Sequence, residues 1–347
     1  MKEIFENIDK KTKLHPTFEL LNNFKALNPA KKMINEIANK MIDKDGNFVQ
    51  QFQTTGFNAR LWEMFIYKFL EENNFEIIYK YDRPDFQIVK DKIEFFIEAS
   101  LSNEKDDDKY SKQYLHEVLK SKNLEIQKEL IEYYVMRMGS VLFSKLNKKY
   151  WELEWVKDKP LVLAITPSHN YLADFLPDAK IIEYLYGLAH KTEIVNDEVN
   201  IISVDKIESH KYGVKEIPSN FFAQENAENI SAVIFTNNGN LHKFNRMGYQ
   251  LGLSEEQLIM ERAGASYDPD PKSVMGTEFN YSVTPGELRE NWSESVSVFH
   301  NPNAIYPLNR DLFKNVRQLW LNDEGRFDGF MPDFFVYHSL TISGCIE

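Results

Sequence analysis

The chain holds a single cysteine, Cys345, in 347 residues, so no disulfide can form within it. That scarcity fits a reducing compartment. No stretch approaches the roughly 18 apolar residues of a membrane span. The opening MKEIFENIDKKTKLH lacks the apolar centre of a signal peptide. These absences lead us to expect a soluble, cytoplasmic protein with no membrane partner. There is no internal repeat, zinc-spaced Cys/His set, GxxxxGK[ST] loop or G-x-S-x-G elbow. A histidine-based serine hydrolase therefore has no support. Positive charge is also short, with 41 Lys and Arg against 53 Asp and Glu and a net charge of -12. That balance argues against a passive nucleic-acid coat. It leaves room for a local basic groove beside an acidic metal site.

What is present is apolar patterning, with 43% hydrophobic and 14% aromatic residues, enough for a sizeable core. FELLNNFKAL and AKKMINEIANKMI carry apolar residues at three- and four-residue spacing, so residues 1–45 read as a helical N-terminal extension. Phe57 to Asn73 is the clearest helix, with Leu61, Trp62, Phe65, Ile66, Phe69 and Leu70 in one stripe. FEIIYKY reads as a strand, and residues 83–100 as two more. Tyr110 to Leu146 reads as one long helix or a broken pair, and PLVLAIT as a strand buried on both faces. A strand after a helical crossover joins its sheet in parallel. The expected class is α/β, a mixed sheet flanked by helices. Residues 46–170 would form its core. Residues 171–347 would add a sheet extension and, beyond about Arg262, a loop-rich region packed on that core.

The stretch RPDFQIVKDKIEFFIEAS is the most informative. A two-residue turn at Asp91 and Lys92 sets Asp85 opposite Glu98; a four-residue loop gives the same register, and a three-residue loop separates the faces. In the first register Phe86, Ile88, Phe95 and Ile97 share one face. Asp85, Gln87, Phe96, Glu98 and Ser100 share the other. Opposed carboxylates with Cβ atoms about 5 Å apart repel, and a divalent cation offsets that repulsion. Oxygen ligands at such spacing suit Mg²⁺ or Mn²⁺. The structural alternative is an Asp85 at an exposed strand end. Glu63, between Trp62 and Phe65 on the apolar helix, is a candidate third carboxylate; its alternative is a surface pair with Arg60 or Lys68.

Helix with Glu63, then Pro84-Asp85, then Glu98-Ala99-Ser100, then helix and parallel strand: over roughly residues 57–166 this resembles the PD-(D/E)XK nuclease superfamily, with its restriction-endonuclease-like fold. The resemblance implies a metal-dependent DNA endonuclease, in restriction or phage defence, with Asp85 and Glu98 as metal ligands and Glu63 as a ligand or water-positioning group. The chain departs from the family pattern at Ser100, where the family has a lysine; serine supplies no positive charge. Lys80, Lys120 and Lys145 are candidates for a displaced lysine, Lys145 first among them. The competing readings are a degenerate nuclease-fold protein that binds nucleic acid or serves in assembly, and a glycosidase using the two acids. A homodimer is expected if both DNA strands are cut.

LHKFNRMG follows the strand-like ISAVIFTN, and its His242, Lys243 and Arg246 are candidate nucleic-acid contacts. The alternative is an ordinary polar strand end. His169 sits in a loop after the buried strand, and FHNPNAIYPL has the Asn and Pro density of a rigid loop.

Overall fold

The computed structural model describes residues 4–6, 13–44, 46–103, 124–168, 172–176, 178–195, 198–270, 273 and 276–346. Its helices are α1 (Pro16–Asn23), α2 (Asn28–Lys40), α3 (Phe48–Gln53), α4 (Phe57–Glu72), α5 (Leu124–Leu146), α6 (Asp178–Tyr186) and α7 (Leu241–Gln250). The first strands are β1 (Glu76–Ile78), β2 (Phe86–Lys90), β3 (Ile93–Asn103) and β4 (Leu161–Ser168). Two hairpins follow, β5 (Leu188–Val195) with β6 (Glu198–Lys206) and β7 (Ser209–Tyr212) with β8 (Lys215–Pro218). The rest are β9 (Ala232–Phe235), β10 (Leu258–Ser266), β11 (Thr277–Ser282), β12 (Ser297–His300), β13 (Arg317–Leu321), β14 (Phe327–Phe330) and β15 (Val336–Cys345).

Eight strands make one mixed sheet in the order β1-β2-β3-β4-β9-β12-β13-β14. β3, β4 and β9 run parallel, and β2 and β12 flank them antiparallel. Both faces of this centre are covered. On one side Val162 and Ala164 of β4 pack with Phe86, Ile88, Phe95 and Ile97 against the N-terminal helices. On the other, Leu161, Leu163 and Ile165 pack with Phe96 against α5 and α6. Two apolar faces explain why PLVLAIT is a continuous apolar run.

The mixed α/β class agrees with the sequence reading, but several details differ. β1 covers only three residues of FEIIYKY. The helix expected from Tyr110 is described from Leu124 onward; its earlier part, like Lys120 and His169, lies outside the described residues. Between long loops the C-terminal third also carries strands. It supplies β12, β13 and β14 to the main sheet and the three-stranded sheet β11-β10-β15. Its strands are short and separated by Asn- and Pro-rich turns, which hides their periodicity. No described helix is long and apolar enough to cross a membrane.

LHKFNRMG is a helix, not a loop: Asn240 caps it, its side chain accepting from the Lys243 amide. This corrects the expected nucleic-acid contacts at Lys243 and Arg246. Lys243 and Arg246 are buried in an ionic cluster that also holds Arg262 of β10. Lys243 Nζ lies 3.0 Å from Glu290 and 2.7 Å from Glu294. Arg246 Nε lies 2.9 Å from Glu290, and Arg262 reaches both acids at 3.2 and 2.7 Å. Only His242 on this helix is exposed. Burial alone would push the Glu290 carboxyl up; Arg246, Lys243 and Arg262 outweigh it and hold it well below the usual range. Removing one member of such a cluster leaves uncompensated buried charge. Glu290→Ala should therefore lower stability by about 3–5 kcal/mol. Urea unfolding followed by circular dichroism measures this, and a loss under about 1 kcal/mol would contradict the cluster's role.

Candidate functional site

The β2–β3 turn decides the site. Lys90 pairs with Ile93 and Phe86 with Ile97, so the loop has two residues and Asp85 stands across from Glu98. Asp91 and Lys92 both have positive φ, 50° and 65°. That is the geometry of a type I′ turn, normally served by Asn-Gly. The left-handed conformation costs a non-glycine residue roughly 1–2 kcal/mol. The buried faces of Phe86, Ile88, Phe95 and Ile97 hold the register against that cost.

Asp85 precedes β2, and its Oδ2 accepts from the Ala99 amide at 2.7 Å. Glu98 is buried, and its Oε1 accepts from Lys145 Nζ at 2.5 Å and from Tyr150 Oη at 2.9 Å. No hydrogen bond to Oε2 is found among the described residues. Burial first, then the charges of Glu98 and Glu63, push the Asp85 carboxyl well above its ordinary range; the Ala99 amide and Lys145 pull it down by less. Burial, followed by the Glu98 charge and hydrogen bond, pushes Tyr150 up as well, so it stays a protonated donor. Ser100 stands two residues beyond Glu98 on the same face, and its buried Oγ has no hydrogen-bond partner among the described residues.

Beside Asp85 opens a hollow of about 350 Å³, walled by Asp43, Lys44, Phe48, Arg60, Glu63 and Tyr79 among others. Lys44 Nζ reaches the carbonyl oxygens of Tyr81 at 2.5 Å and Asp85 at 3.4 Å. Burial lowers its pKa, while Asp85, Asp82 and Glu63 act to raise it.

The structure therefore brings Asp85, Glu98, Ser100 and Lys145 together, and adds Tyr150 and Lys44. The sequence reading missed both. Tyr150 lies in KKYWELEW just after α5, five residues beyond a lysine already singled out, and nothing local marks it. Glu63 lines the hollow but is bound to Arg60 at 2.6 Å, the pairing set out above as its structural alternative. Among the described residues no three His, Cys, Asp or Glu side chains form a metal-holding group, so a three-carboxylate set including Glu63 is not seen. Lys80 lies away from the carboxylate pair, its ammonium 5.0 Å above the Tyr81 ring.

No family model matches the chain, and no solved structure does. It is 30% identical over 149 residues to the "Ribosomal RNA small subunit methyltransferase H" of Mycoplasma mycoides subsp. mycoides SC, which is 40% of this chain. The match covers 47% of that protein, so the chain spans about half the length of the relative. The relative is named for RNA methylation, and this corrects the reading of the chain as a metal-dependent DNA endonuclease in restriction or phage defence. The nuclease and hydrolase assignments fall with it, as do the degenerate-nuclease and glycosidase alternatives.

A half-buried carboxylate set just before β2 opposite the buried Glu98 of β3 destabilises the fold unless something neutralises the pair. Asp85→Asn keeps an acceptor for the Ala99 amide and removes the repulsion. In EDTA this variant should melt above the parent protein, as read by differential scanning calorimetry. A lower melting temperature would contradict the opposition of charges described.

Proposed function

We propose that this chain is an RNA-directed protein in which Asp85 and Glu98 hold one divalent cation that meets an RNA phosphate. The opposition of the half-buried Asp85 and the buried Glu98 carries the reading. Hard oxygen donors suit Mg²⁺ or Mn²⁺, and the Ser100 hydroxyl, without a hydrogen-bond partner among the described residues, fits such a neighbour. When bound, the ion would supply positive charge between the two carboxylates and a phosphate. Lys145 and Tyr150 hold Glu98 by Oε1 and so aim its other oxygen. Lys44 adds a cation at the rim of the hollow, where it can face the same phosphate. RNA, not DNA, is favoured by the relative's name, and a cytoplasmic setting goes with it.

A second reading, methyl transfer to RNA, is favoured by the same name. It requires a nucleoside-type methyl donor. No two of the 14 glycines stand two residues apart, so the Gly-x-Gly turn that lets backbone approach a nucleotide cofactor is missing. Cation-bridged RNA binding is therefore preferred. Parent protein and Asp85→Asn can be compared for RNA retention on filters with Mn²⁺ or EDTA. The parent should hold RNA at least tenfold more tightly with Mn²⁺, and the variant should gain nothing. Equal retention under all four conditions would remove the cation from the account. Retention that depends on S-adenosylmethionine and not on Mn²⁺ would replace it with the second reading.

A further inference from the structure

The hollow beside Asp85 is reached along a helix whose charge runs against that of the chain. Residues 25–44 hold Lys25, Lys31, Lys32, Lys40 and Lys44 against Glu36 and Asp43, a local +3 in a protein of net -12. Most of these residues belong to α2, which is two-sided. Pro29, Ala30, Met33, Ile34, Ile37 and Ala38 are buried. Asn28, Lys31, Lys32 and Asn35, at the i, i+3, i+4, i+7 spacing of one helical face, line an open groove of about 280 Å³ with Phe5 and Glu6. The chain leaving the other end of α2 supplies Met41, Ile42 and Lys44 to the candidate site. One helix of 13 residues, about 20 Å at 1.5 Å per residue, thus joins the two hollows.

The buried side of α2 is fixed firmly. Asn245 of α7 accepts from the Ala30 amide at 3.1 Å and donates to the Ala26 carbonyl at 3.0 Å. A Cβ on Gly248 would meet the Pro29 carbonyl at 2.3 Å, so only glycine lets α7 lie this close. The outward lysines are held loosely by comparison. Lys32 pairs with Glu255 at 2.7 Å and Lys25 with Glu256 at 3.4 Å, both at the surface. Such exposed pairs contribute about 0–1 kcal/mol, little enough for a phosphate to displace the carboxylate. Lys31 is braced on Asn22 Oδ1 at 2.8 Å, a neutral partner that leaves its charge for another group.

We propose that α2 is the strip on which a single RNA strand lies, its phosphates on Lys31 and Lys32, as it enters the Asp85–Glu98 site. The inference rests on the RNA reading above and names the surface through which that partner is held. Because the rest of the chain repels a polyanion, this strip has to dominate the electrostatics of binding.

The test is the salt dependence of binding, measured by fluorescence anisotropy with a fluorescein-labelled single-stranded RNA in Mn²⁺. Each phosphate contact adds about 0.7 to the slope of log K against log salt on a single strand. The double variant Lys31→Gln/Lys32→Gln should flatten that slope by about 1.4 and weaken binding most at low salt. Lys211→Gln, on the β7–β8 hairpin, should leave it unchanged. A double variant with the parent slope and a parent-like circular dichroism spectrum overturns the strip while the RNA reading stands. If the parent protein binds no RNA, both fall.

Discussion

The register of one hairpin sets the chemistry of this protein. With two residues in the turn, Phe86 faces Ile97 and Asp85 faces Glu98. A shift by one residue would send the carboxylates to opposite faces and expose a row of aromatic side chains. The turn residues do not favour the geometry they adopt. The burial of four large apolar side chains does. Hydrophobic packing on one face thus holds a pair of acids on the other, with Lys145 already bonded to Glu98.

Around this pair the layers have distinct tasks. The N-terminal helices cover one face of the sheet and form the walls of the hollow with Lys44, Arg60 and Glu63. α5 covers the other face and delivers Lys145 to Glu98, with Tyr150 just beyond its end. The C-terminal third closes the sheet and anchors α7 through the cluster of Glu290 and Glu294 with three buried cations. α7 in turn fixes α2 through Asn245 and Gly248. A lysine counted from sequence as a nucleic-acid contact is therefore a structural ion, and the lysines of α2 are the ones facing solvent.

Much of this was legible in residue order. Period-two alternation opposed Asp85 and Glu98 only for a two- or four-residue turn, and the structure decided for two. Helical spacing brought out α2 and α4, and a run without polar interruptions identified β4 as buried on both sides. The placement of Lys145 needed only the idea that a helix covers that face of the sheet. The remainder depends on contacts far apart in sequence. Nothing near Lys243 announces Glu290 and Glu294, so a buried ionic cluster looked like a basic surface loop. Tyr150 reaches Glu98 across 52 positions. Glu63 could be read either as a ligand or as a partner of Arg60, and packing decided for Arg60. The substrate class was the least legible of all, because a pair of opposed acids defines an affinity for cations and not the reaction done with them. A relative named for RNA methylation redirected that part of the reading.

The central claim is that Asp85 and Glu98 share a divalent cation. Crystals soaked in Mn²⁺ and measured at the manganese absorption edge test it directly. The account predicts one anomalous peak within coordination distance, roughly 2.0–2.5 Å, of both Asp85 and Glu98, with Lys145 and Tyr150 still on Glu98 Oε1. A clean map with no peak there, or an ion held by other residues, would contradict it.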